Sequence, residues 1–68
     1  MKLSARNSLK GKVVDIAEGK IMAEVKIDIG NGNTITSLNS LESIRDLGLK
    51  IGDEAYAIIK ATEVIIGK

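Results

Sequence analysis

The stretch Ile21-Met22-Ala23-Glu24-Val25-Lys26-Ile27-Asp28-Ile29 decides the fold. Ile21, Ala23, Val25, Ile27 and Ile29 alternate with Met22, Glu24, Lys26 and Asp28. Successive side chains on a strand point to opposite faces, so this period of two marks a strand with one face in a core and one in water. Upstream, Gly11 to Ala17 carries Val13, Val14 and Ile16 and reads as a second strand, with Glu18-Gly19-Lys20 as the hairpin turn. Downstream, Gly30-Asn31-Gly32-Asn33 supplies residues suited to positive φ, and Thr34 to Leu38 reads as a third strand.

The period changes at Asn39. Leu41, Ile44 and Leu47 recur every third residue, which predicts one or two helical turns. Asn39 with Glu42 offers a capping box, with Ser40 as the alternative cap, and Gly48 offers a C-terminal stop. Ala55 to Ile59 and Glu63 to Ile66 read as two last strands. The expected fold is all-β: an OB-like five-stranded Greek-key barrel with one short helical turn, forming a single domain over residues 1–68.

A domain of 68 residues is marginal alone, because a chain of about 60 residues buries only roughly 60% of the surface it exposes when unfolded. The common remedies are disulfides, a metal or a partner subunit. With no Cys and no His, disulfides are excluded and a structural zinc site nearly so. No residue is expected to ligate a metal cation directly. The sequence also lacks Phe and Trp, leaving Ile, Val, Leu and Ala to build the core. Oligomerisation is the remaining device. The missing Pro strengthens that expectation, since edge strands are not blocked by it.

Ten Lys and Arg oppose nine Asp and Glu, and a net charge of +1 provides no broad field for a polyanion. The N-terminal Met1-Lys2-Leu3-Ser4 does not read as a secretory leader, and no apolar run approaches the roughly 20 residues that cross a bilayer. A cytoplasmic location without membrane contact is the expectation, and the absence of Cys agrees with it.

No His-based acid–base pair, Cys nucleophile or Walker-type phosphate loop is present, so the chain is not expected to be an enzyme. What remains is a set of donors. Ser4-Ala5-Arg6-Asn7 packs a hydroxyl, a guanidinium and an amide into four residues. Lys60 follows Ala57-Ile58-Ile59 directly, and Ser40 and Ser43 lie three apart on the helical turn. Donors without carboxylates suit a fully deprotonated oxyanion.

The opening Ser4-Ala5-Arg6-Asn7-Ser8-Leu9-Lys10-Gly11-Lys12-Val13 resembles the S-A-R-N-x-L-x-G-x-V signature of the Mop (molbindin) family. Ala23-Glu24-Val25, Ile35-Thr36-Ser37, Ser40-Leu41-Glu42-Ser43, Leu47-Gly48-Leu49 and the closing Ile59-Lys60-Ala61-Thr62-Glu63-Val64 agree with it. The likeness covers nearly the whole chain. It implies a hexamer arranged as a trimer of dimers that binds molybdate, and usually tungstate, between subunits. A free-standing copy resembles the storage or buffering form, with the oxyanion as ligand and no organic cofactor.

The resemblance assigns oxyanion-binding roles to Ser4, Arg6 and the N–H of Ala5, to Lys60 and the N–H of Ala61, and to Ser40 and Ser43 from a neighbouring subunit. Asn7 is assigned to a possible second site. Two other readings compete. OB-like barrels also bind single-stranded nucleic acid, but they do so with stacked aromatics and a basic groove, and Tyr56 is the lone aromatic here. A purely structural oligomerisation domain would share the assembly and lack the anion.

Overall fold

The computed structural model describes residues 6–68. The elements in order are β1 (Asn7–Glu18), β2 (Met22–Gly30), β3 (Asn33–Ser40), α1 (Leu41–Leu47), β4 (Glu54–Ile59) and a 3-10 turn at Ala61–Glu63. Among the described residues the four strands form one antiparallel sheet in the order β3-β2-β1-β4. Three strands joined in sequence, with the fourth returning beside the first, make a Greek-key order.

The alternation along β2 sets the core. Ala23, Val25 and Ile27 are buried, Ile29 is half-buried, and Val13 of β1, Ile44 of α1 and Ala57 of β4 complete the cluster. Ile21, expected on the same face, is 77% exposed. The strand starts one residue later, because Gly19, Lys20 and Ile21 form the loop that closes on a Gly19 N–H to Met22 C=O bond of 2.8 Å.

The β2–β3 turn follows its residues closely. Gly30 pairs with Asn33, leaving Asn31 and Gly32 as a two-residue loop with φ of 54° and 75°. Positive φ at both central positions is the turn geometry whose twist matches the flanking strands.

β1 is the organising strand. Its first half pairs with β4 and its second half with β2, the two ladders overlapping at Lys12. Over its 12 residues the strand changes partner and carries a bulge, which bends it and increases its twist. The bend falls at Val14, the extra residue of a bulge between Val13 and Asp15. There Val13 exchanges backbone bonds with the loop before β4, donating to Asp53 C=O at 2.9 Å and accepting from Gly52 N–H at 2.8 Å.

Two expectations are corrected. The cap of α1 is Ser40, whose hydroxyl accepts from Ser43 N–H, rather than the Asn39–Glu42 box. Asn39 is held on β3 opposite Ala23, and its amide donates to Ser37 Oγ at 2.7 Å. At the other end Gly48 takes φ 63°, the left-handed cap expected of it.

The fifth strand expected over Glu63–Ile66 is also not formed. Glu63 closes the 3-10 turn, and residues 64–68 carry no strand. A strand needs a neighbouring edge to pair with, and among the described residues this segment meets none: Ile65 is 92% and Ile66 87% exposed. The described residues therefore form a curled four-stranded sheet, without the expected fifth strand. Between its edges, β3 and β4, lies an apolar cleft of about 480 Å³ lined by Ile35, Ile44, Leu47, Leu49, Ala55 and Ala57.

Candidate functional site

The register of β1 on β4 builds the site. Asn7 pairs with Ile59, Ser8 with Ile58 and Leu9 with Ala57. Asn7–Ile59 is the last rung, so Arg6 immediately precedes β1 and Lys60 immediately follows β4 at the same end of the ladder. Two cations far apart in sequence thus emerge side by side, on facing strands just beyond one rung. Both are exposed, and among the described residues neither pairs with a carboxylate. Like charges at neighbouring rungs repel, and a bound anion relieves that repulsion.

The backbone around Lys60 is fixed on both sides. The Asn7 amide Nδ2 donates to Ile59 C=O at 3.2 Å, and Lys60 C=O accepts from Glu63 N–H at 2.9 Å. Lys60 itself is extended, with φ −64° and ψ 141°, before Ala61 turns the chain. Ala61 N–H belongs to the same peptide as the Lys60 carbonyl. The first N–H groups of a helical turn have no partner within the turn, which leaves this one to ligand or water.

Ser40 and Ser43 sit together at the start of α1. Ser43 N–H donates to Ser40 Oγ at 3.1 Å, and the two hydroxyls are 2.7 Å apart. When the Ser40 hydroxyl donates to Ser43 Oγ, the Ser43 proton points outward.

The strand pairing puts the two groups on different ladders. Ser40 pairs with Met22, and Ala23 with Glu18, so the serines lie beside the C-terminal end of β1. Arg6 and Lys60 lie at its N-terminal end. Ser4 and Ala5 lie outside the described residues. Asn7, assigned to a possible second site, bonds the backbone beside Lys60. Sequence reading missed that bond because nothing local links Asn7 to a carbonyl 52 residues away.

Other chemistries find less support. Among the described residues no group of three His, Cys, Asp or Glu could hold a metal ion, and no helix is long and apolar enough to cross a membrane. The remaining polar clusters are surface pairs: Lys10–Glu54 at 3.4 Å, Arg45–Glu18 at 3.4 Å and Lys26–Glu24 at 4.0 Å. Exposed pairs of this kind contribute little, about 0–1 kcal/mol.

A four-stranded, OB-like sheet with a donor-rich strand end and a serine-capped turn is a small all-β domain of ligand-binding type. Residues 3–66 match the TOBE domain. The chain is 58% identical over 67 residues to a probable molybdenum-pterin-binding protein of Haemophilus influenzae, a match spanning 98% of this chain and 97% of that one. A molybdate-binding protein from Sporomusa ovata has the same fold, with a TM-score of 0.93 and 37% identity over 100% of both chains. The cytoplasmic molybdate-binding protein ModG, bound to molybdate, gives a TM-score of 0.90 and 46% identity over 96% of this chain and 46% of that one. The chain belongs to the TOBE-domain family, among its molybdenum-pterin-binding (Mop) members.

Proposed function

We propose that this protein binds molybdate, and tungstate with it, at sites between subunits of a homo-oligomer, and that it stores or buffers the oxyanion in the cytoplasm. The observation that carries the reading is the β1–β4 register, which brings Arg6 and Lys60 out side by side one step beyond the Asn7–Ile59 rung. Relatives and solved structures of matching length are named for molybdenum or molybdate, which supports the same ligand here. The named role of ModG supports the cytoplasmic location.

Molybdate near neutral pH is a doubly charged tetrahedron. Arg6 and Lys60 neutralise it through charge-assisted bonds of about 1.5–3 kcal/mol net each. The hydroxyl of Ser4 and the N–H groups of Ala5 and Ala61 take further oxygens. Ser40 and Ser43 stand beyond the far end of β1, so in this reading they come from a neighbouring copy. A donor-only site disfavours phosphate, whose remaining proton at pH 7 would be left without an acceptor, at a cost of about 1–3 kcal/mol. Sulfate has the same charge and shape, and only cavity size separates it from molybdate.

Assembly is supported by the unfilled apolar cleft between β3 and β4 and by the exposed Val64, Ile65 and Ile66. The expected assembly is a hexamer, a trimer of dimers, acting by binding and not by catalysis. The direct test is calorimetric titration with molybdate, tungstate, sulfate and phosphate, joined to melting curves. Ligand at 100 times its Kd adds about 2.7 kcal/mol to the state that binds it. An unchanged melting temperature at millimolar molybdate rejects the proposal.

A further inference from the structure

Asn7 is half-buried at the last rung of the β1–β4 ladder, next to Arg6 on its own strand and one step short of Lys60 across the ladder. Its side chain crosses to the opposite strand and bonds Ile59 C=O at 3.2 Å. A carbonyl only accepts, so the amide nitrogen is the atom that faces it. This carbonyl is half of the peptide that carries the Lys60 nitrogen. The next carbonyl, that of Lys60, is held by Glu63 N–H at 2.9 Å. Lys60 therefore leaves the sheet with the peptides before and after it both tied down.

From this geometry we infer that Asn7 is the positioning residue of the oxyanion site: it fixes the Lys60 backbone against β1 and does not itself contact the anion. The inference rests on the anion-binding reading above and departs from the second-site role that the sequence suggested for Asn7. The amide has two N–H donors, of which one is engaged on Ile59, and its own oxygen is an acceptor that a bare oxyanion repels. A chain without the amide keeps its backbone ladder and all its cations. What it loses is the fixed direction in which Lys60 and Ala61 N–H are presented. Preorganised donors lose less freedom on binding, and releasing them weakens the complex with every charge still present.

The test is a double-mutant cycle read by calorimetric titration with sodium molybdate, using wild type, Asn7→Ala, Lys60→Ala and the double variant. Asn7→Ala is expected to bind molybdate about fivefold more weakly, the size of one ordinary hydrogen bond, with an unchanged number of anions per chain. Because part of what Asn7 does runs through the Lys60 side chain, the double variant is expected to lose less than the sum of the two single losses. A general loss of stability would give additive effects instead. Asn7→Ser, too short to reach Ile59, replaces the alanine variant if that one does not fold. Wild-type affinity in either Asn7 variant, additive losses, or fewer anions per chain overturns the inference. Fewer anions would mean that Asn7 is a ligand. A wild type that binds no molybdate overturns the underlying reading, and this one falls with it.

Discussion

Gly11 packs directly against the Asp28 carbonyl. A Cβ built on Gly11 would overlap the Asp28 oxygen and come within 2.6 Å of Ile27 Cγ2. The close approach lies where β1 changes partner, with Gly11 opposite Ala55 on β4 and the next residue, Lys12, opposite both Glu54 and Asp28.

Gly11→Ala is therefore expected to destabilise the fold by about 1–3 kcal/mol, the usual range for forcing extra carbon into packed structure. The obstacle is mainly backbone, which cannot rotate away. Denaturant unfolding checks this. Gly32→Ala makes a useful contrast, since no atom lies within 4 Å of its added carbon and only the positive φ of 75° opposes it.

Loss of the helix cap should be separable from loss of the anion. Ser40→Ala removes the acceptor of Ser43 N–H and should cost about 1 kcal/mol of stability. Ser40→Asp keeps a capping oxygen and adds negative charge where the proposal brings an anion. Its stability should stay near wild type while molybdate affinity falls. Equal affinity in Ser40→Asp and wild type, measured by titration, would take Ser40 out of the site.

Arg6→Ala and Lys60→Ala should each weaken molybdate binding about tenfold or more, since losing a charged hydrogen-bond partner costs roughly 1.5–3 kcal/mol. Neither cation pairs with a carboxylate among the described residues, so folding stability without ligand should change little. Wild-type affinity in Arg6→Ala would exclude it as a ligand. In the wild type, raising the salt from about 0.01 M to 0.15 M should weaken binding, as screening shortens from roughly 30 Å to 8 Å.

Ile65 and Ile66 are nearly bare on the single chain. Replacing both with Asp should leave the sheet intact by circular dichroism and shift native mass towards the monomer. An unaltered oligomer would show that this segment stays outside the interface. Purified, undialysed protein should carry molybdenum without pterin absorbance or fluorescence. A stoichiometric pterin would replace the bare oxyanion as ligand.

The sheet was legible in proportion to how local its causes are. Alternation from Ala23 to Ile29 and the Gly30–Asn33 turn carry their own geometry, and both formed as read. β1 is longer than the Gly11–Ala17 run suggests, because Asn7 to Lys10 become strand only by pairing with β4, which no local pattern reports. Val64, Ile65 and Ile66 are β-branched and read as a strand for the same intrinsic reason. Propensity describes a residue that suits a pleated surface and cannot say whether a neighbouring edge exists. At the candidate site, the sequence motif proposed the donors, while the Asn7–Ile59 bond depends on register alone.

The pairing of Asn7 with Ile59 has a consequence during synthesis. The hairpins β1–β2 and β2–β3 join neighbours in sequence and can form as the chain leaves the ribosome. The rung that brings Arg6 beside Lys60 spans 52 residues and waits for β4 to be made. On the proposed function, a chain that stops before Lys60 lacks one of the two cations, so incomplete copies would compete only weakly with finished protein for scarce oxyanion.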